Sequence, residues 1–186
     1  MSLEIRIINA TIDIFREKGV KFTMDDIANK LGVSKRTLYE NIDSKEILLN
    51  LLVDEVFDSI SEQGKQISQD NSINDLEKLK GLLTIIPTSY NTIDYTKIHE
   101  IKKFYPNTYE KIIDRLDSGW QPIEVLVNKC INEGLIKKVN LYLMKSILIG
   151  SIRTLLEDNN LHKEKIEYKG TMKNIVDIMF DGLVIK

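Results

Sequence analysis

Apolar positions along this chain recur at helical spacing and almost nowhere in strict alternation. In residues 3–18, Ile5, Ile8, Ile12 and Phe15 fall at steps of 3, 4 and 3, which predicts an amphipathic helix with these four on its inner face. Gly19 ends it. Ile27, Ala28 and Leu31 predict a short second helix, and Leu38 marks the inward side of a third. Ile47, Leu48, Leu51, Leu52, Val56 and Ile60 predict a long helix over 45–66. Its early part closes a three-helix head, and its later part leads into the rest of the chain. The polar stretch from Ser68 to Asn74 reads as the first clear loop. Helices follow at about 74–86, 95–104, 107–118, 121–134, 140–157 and 170–184. Pro87 stops the first of these and Pro106 separates the next two. Pro122 is either the first turn of a new helix or a kink in a longer one. No strand pattern of useful length, repeat or low-complexity run interrupts this series, so the expected fold class is all-α.

Residues 23–46, TMDDIANKLGVSKRTLYENIDSKE, carry the most specific local signals. Thr23 can cap a helix, and Asp25 and Asp26 then occupy its first turn, where the helix dipole favours negative charge. Gly32 ends that helix, because glycine alone turns there without steric cost. Val33 plugs the turn and Ser34 caps the next helix. With Leu38 facing inward, Lys35, Arg36, Thr37 and Tyr39 are left on the exposed faces. That is the layout of a helix-turn-helix that reads DNA. No acid lies between Asp26 and Glu40, while Lys30, Lys35 and Arg36 are cations, so a phosphate backbone would find this window attractive. Lys45 follows the Ser44 cap at a helix start, a position that favours an anion, and is expected to touch phosphate.

The segment resembles the DNA-binding domain of the TetR family of bacterial transcriptional regulators. The matching residues are Thr23, Met24, Ile27, Ala28, Gly32, Val33, Ser34, Thr37, Leu38 and Tyr39, then Ser44, Lys45, Glu46 and Leu48. Ala10, Phe15, Gly19 and Phe22 in the preceding helix fit as well. The chain departs from the pattern at Ile42, where the family usually has an aromatic, and at Asn41, often His or Tyr. Ile42 can still fill a core position. The resemblance implies a DNA-binding head over residues 1–46 and a helical effector-binding and dimerisation domain over 47–186. The expected DNA-contacting set is Thr23, Ser34, Lys35, Arg36, Thr37, Tyr39 and Lys45.

Charge narrows how such a head can work. The chain of 186 residues has a net charge of −2, so it is not a uniformly basic nucleic-acid binder. Residues 1–50 hold eight Lys and Arg against eight Asp and Glu; the basic bias belongs to residues 27–39 alone. Cys130 is the single cysteine, which rules out an intrachain disulfide and suggests a cytoplasmic protein. Its neighbours Leu126, Val127 and Ile131 suggest a buried, inert thiol. The N-terminus does not read as a signal peptide, and no apolar run reaches the length of a membrane span.

Catalytic chemistry finds little foothold. His99 and His162 are far apart, and no C-x-x-C, H-E-x-x-H or glycine-rich phosphate loop occurs. No enzyme activity, metal or cofactor is expected. Residues 90–120 hold six of the thirteen aromatics. Tyr90, Phe104, Tyr109 and Trp120 could line a cavity for an apolar or aromatic ligand, or could be ordinary core and interface residues. The last two helices show another pattern. Leu143, Ile147, Gly150 and Thr154 lie on the first, Ile175 and Met179 on the second, and Ser146, Gly150 and Thr154 form a stripe of small residues. The resemblance implies a homodimer through this pair as a four-helix bundle; the alternative is internal packing. The expected function is a repressor released from a pseudo-palindromic double-stranded operator by a small apolar or aromatic effector. Alternatives are a regulator without an effector, or a helical protein-interaction module.

Overall fold

The computed structural model describes residues 2–85, 95–157 and 168–185. Ten α-helices run through them: α1 Leu3–Lys18, α2 Met24–Leu31, α3 Lys35–Tyr39, α4 Lys45–Gln69, α5 Asp75–Leu83, α6 Tyr95–Phe104, α7 Pro106–Asp117, α8 Gln121–Asn132, α9 Leu141–Glu157 and α10 Tyr168–Leu183. A 3₁₀ turn, Gly19–Lys21, follows α1. Among the described residues the only extended pairing is one isolated bridge between Ile136 and Val184. The chain is all-α.

Each head helix starts on a side-chain cap. Ser2 Oγ accepts from Ile5 N at 3.4 Å, Ser34 Oγ from Thr37 N at 3.0 Å, and Ser44 Oγ from Ile47 N at 3.2 Å. Thr23 and Asp26 form a reciprocal capping box at α2. Gly32 closes α2 in the left-handed conformation at φ 66°.

Helix α1 differs from expectation in one residue. Ile8, Ile12 and Phe15 do pack inward, but Ile5 is 48% exposed, and the fully buried stripe runs through Ile7, Ala10, Thr11 and Ile14. Isoleucines at 5, 7, 8, 12 and 14 support two overlapping stripes; packing against α2 and α4 selects the one through Ile7. The long helix α4 runs on through Ser68 to Gln69, so the first loop begins later than its polar residues suggested. Helix α5 ends at Leu83, short of the expected 86, and Pro87 lies outside the described residues. Pro106 and Pro122 both lie in the first turn of their helices, α7 and α8, which settles Pro122 as a helix start.

Two apolar clusters form the core. One joins α1 to α4 around Ile7, Phe22, Ile27, Leu38 and Leu48, and also takes in Ile101 of α6 and Tyr109 of α7. The other fills the space between α5, α8, α9 and α10 around Leu79, Val127, Cys130, Met144, Val176 and Phe180. Cys130 is buried, and that burial pushes its thiol above the ordinary cysteine range.

A polar seam joins α4 to α7. Along α4, Glu46, Asn50, Asp54 and Asp58 lie one helical turn apart. Asn107 Nδ2 donates to Glu46 at 3.3 Å, Thr108 Oγ1 bonds Asn50 Oδ1 at 2.9 Å, Lys111 Nζ reaches Asp54 at 2.6 Å, and Arg115 meets Asp58 at 2.8 Å.

Candidate nucleic-acid interface

Helix α3 is only five residues long, and its capping fixes which way each side chain faces. Leu38 is fully buried, and Ile42, one turn on, fills the adjoining core position. Lys35, Arg36 and Tyr39 are therefore held outward, with Thr37 at the rim. The Ser34 and Thr37 hydroxyls lie 2.8 Å apart and share a hydrogen bond. Asn41 Nδ2 donates to Thr37 O at 2.8 Å and finishes the C-terminal end. Thr23 is exposed at the start of α2, where its hydroxyl accepts from Asp26 N at 3.2 Å.

The cations of this surface do not stand alone. Lys30 pairs with Asp13 at 2.9 Å, Lys35 with Asp25 at 2.9 Å, and Arg36 with Glu40 at 3.0 Å. The window that lacks acid in sequence is met by carboxylates from just outside it. Only the folded helices show this for Asp13 and Asp25; the Arg36–Glu40 pair follows from i,i+4 spacing. The Asp25 hydrogen bond holds the Lys35 ammonium above the ordinary lysine range. Asp26 is held below the ordinary carboxylate range, first by Lys18 and then by the Thr23 backbone N–H.

Lys45 is placed differently from the other six expected contacts. Its ammonium turns inward, donates to Val20 O, and lies 4.4 Å from the Phe22 ring centroid and 5.5 Å from that of Tyr105. Its side chain thus ties the end of α1 to the α6–α7 junction. Val20 and Tyr105 are remote from Lys45 in sequence, so no local pattern could have announced this.

The aromatic residues of the second domain do not converge on one wall. Tyr109 is buried in the head-side cluster, and its hydroxyl donates to Glu157. Burial, then that carboxylate, hold the phenol above its ordinary range. Glu157 also takes Lys102 Nζ at 2.8 Å, and these contacts, Lys102 first, keep its carboxyl below the ordinary range. Trp120 is half-buried against the other cluster, its Nε1 donating to Leu116 O at 3.1 Å. Phe104 is 56% exposed, with Lys103 over its ring, so its ring faces solvent rather than an interior cavity. Tyr90 lies outside the described residues.

On the last two helices, Leu143 and Ile147 of α9 are 57% and 56% exposed, and Ile178 of α10 is 73% exposed. Gly150 and Thr154 continue this outer face, and a Cβ built on Gly150 would meet nothing within 4 Å. Ile175 and Met179 are half-buried against the internal cluster.

The capped α2, the left-handed Gly32 turn and the outward-facing α3 form a helix-turn-helix. Residues 7–52 match the profile of bacterial regulatory proteins of the tetR family. The chain is 28% identical over 181 residues to YvaF, an uncharacterised HTH-type transcriptional regulator of Bacillus subtilis (strain 168), covering 97% of this chain and 95% of that protein. In fold it is similar to the transcriptional regulator FadR of Bacillus subtilis, solved in complex with stearoyl-CoA, with 17% identity, TM-score 0.67 and coverage of 96% and 98% of the two chains. It is also similar to AibR, solved with isovaleryl coenzyme A and operator DNA, with 19% identity, TM-score 0.59 and coverage of 92% and 95%. The profile match covers the helix-turn-helix head, and the likeness to these regulators in fold runs along almost the whole chain.

Proposed function

We propose that this protein is a repressor that binds a pseudo-palindromic operator as a homodimer and leaves it when a small effector binds. The observation that carries the reading is the orientation of α3: Leu38 locks the helix to the core and Lys35, Arg36, Thr37 and Tyr39 project from it. In this reading those four, with Ser34 and Thr23, meet DNA, and residues 1–46 act as the head. Residues 47–186 bind effector and partner. Two heads are needed because one short reading helix offers little contact area. The exposed apolar face of α9 and α10, with Leu143, Ile147, Gly150, Thr154 and Ile178, supports a second copy there, with Ile175 and Met179 packed behind it.

For the effector, a thioester of coenzyme A with an acyl chain is the class to test first. FadR and AibR were each solved with such a molecule. His99 of α6, a helix packed between the head's 3₁₀ turn, α7 and α9, supports a polar ligand contact. Its Nδ1 is buried without a hydrogen-bond partner among the described residues. We place the protein in the cytoplasm with its DNA. No helix among the described residues is long and apolar enough to cross a membrane.

Selection of bound sequences from random duplex DNA should return an inverted repeat. Titration of that complex with acyl-CoAs of increasing chain length should lower operator affinity and shift Trp120 emission in the same experiment. An effector shifts the equilibrium only by its preference between the two states. Failure of every acyl-CoA would remove that effector class and leave the operator reading standing. Failure to enrich any sequence would remove the operator.

A further inference from the structure

The three cations of the reading window are each matched by a carboxylate, but the three carboxylates are not equivalent. Glu40 is the C-cap residue of α3, so its pair with Arg36 is local to that helix. Asp13 is shared between Lys30 and, at 3.6 Å, Arg16. Asp26, beside Asp25, is committed to the capping box and to Lys18. Asp25 differs from all of these. It lies in the first turn of α2 and both its oxygens approach one ammonium on the next helix, Oδ1 at 2.9 Å and Oδ2 at 3.0 Å from Lys35 Nζ. Both side chains are more than half exposed, at 57% for Asp25 and 55% for Lys35.

Three consequences follow from that placement. A phosphate approaching the N-terminal ends of α2 and α3 meets the Asp25 carboxylate beside the donors it would use. Lys35 must leave Asp25, or share itself, to pair with that phosphate. And because the Asp25 side chain is more than half exposed, removing its charge does not dismantle the head. Exposed pairs of this kind are weak, so the contact retards binding without preventing it.

We propose that Asp25 is a positioning residue for DNA binding: it competes with the DNA backbone for Lys35 and so limits the head's affinity for duplex of any sequence. The idea rests on the DNA-binding surface described above. It gives the balanced charge over residues 1–50 a local consequence: one of the three cations on the reading face is partly held back from the DNA backbone.

The test uses the full-length protein and a random-sequence duplex long enough for two heads, with affinity measured across a range of salt. Asp25→Asn should tighten binding about two- to five-fold per head at low salt, the range expected for releasing one exposed pair. Its log–log salt slope should steepen, by at most about one per head, because Lys35 is then wholly free to displace counterions. Asp25→Glu, which keeps the charge, should behave as the wild type. Lys35→Ala in the Asp25→Asn background should cancel most of the gain. A gain that survives Lys35→Ala would overturn the competition and leave only a diffuse charge effect. Unchanged affinity and slope in Asp25→Asn, while the wild type binds DNA with ordinary salt sensitivity, would sink the proposal and spare the DNA-binding surface. A wild type that shows no salt-sensitive duplex binding would bring down both. Far-ultraviolet circular dichroism confirms that the variants stay folded; a head unfolded by Asp25→Asn would itself contradict the peripheral role given to this residue.

Discussion

The two ends of the molecule finish their surfaces in opposite ways. The head closes its apolar residues inside and turns hydrogen-bond donors and ion pairs outward; its exposed apolar side chains, Ile5, Tyr39 and Ile47, are scattered. The second domain buries Met144, Leu148, Leu155 and Phe180, yet leaves Leu143, Ile147 and Ile178 open on the outer sides of α9 and α10. A polar face with capped helix ends suits a charged, hydrated partner such as duplex DNA. A row of aliphatic groups beside a bare glycine suits a partner that excludes water, and a second copy of the same helix pair meets that need.

The largest expected effect is Leu38→Ala. Its side chain is fully buried in a helix of five residues, so the head should lose about 2–5 kcal/mol and DNA binding with it. Sedimentation should be unchanged if the two ends are finished separately. Loss of the dimer in the same variant would break the contrast.

Gly150→Leu should act only at the other end, and with a definite sign. Within one chain the new side chain enters open space and a leucine favours helix by roughly 0.5–1 kcal/mol over glycine. Against a second copy it should cost about 1–3 kcal/mol or more by forcing the crossing apart. The variant should therefore sediment as a monomer at micromolar concentration, with a melting temperature no longer dependent on concentration. A dimer indistinguishable from wild type would place the interface elsewhere.

Lys45→Met sharpens the boundary between the two regions. It retains an aliphatic stem over Phe22 and removes the charge held by Val20 O and the two rings. If the residue acts as placed here, stability falls by about 0.5–2 kcal/mol and the salt slope of DNA binding stays put. If it serves phosphate, as its position after Ser44 suggested, the slope drops by about one per head.

The smallest effect is a pH dependence. Glu157 has a folded pKa below its ordinary value of 4.5, so its contribution is present above that value and fades as pH falls through the lower folded one. Acid melting curves of wild type and Glu157→Gln should diverge slightly at neutral pH and converge in that acidic window. A gap that persists below it would mean the carboxylate is not what matters.

Legibility in the sequence followed the range of the interactions. Caps and turns act over three or four residues, so Thr23, Gly32, Ser34 and Ser44 were readable directly, and the outward set on α3 followed from Leu38. Proline and glycine placed most helix ends within a few residues. What was hidden required a partner from far along the chain: the stripe chosen on α1, the Lys45 cage closed by Tyr105, and the carboxylates of Asp13 and Asp25. The aromatic segment stayed open between cavity lining and core for the same reason. Density in sequence said nothing of direction, and Phe104, Tyr109 and Trp120 point to three different surroundings.

The seam between α4 and α7 has a property that none of its bonds has singly. Its acceptors at Glu46, Asn50, Asp54 and Asp58 repeat once per helical turn, and Thr108, Lys111 and Arg115 answer them at steps of three and four residues, with Asn107 directly before Thr108. Such a contact behaves as a toothed rack. Displaced along its length by a fraction of a turn, it matches nothing; displaced by a whole turn, about 5.4 Å, it matches again one tooth over. A seam of this kind favours a small number of discrete settings of the two helices over a continuous slide.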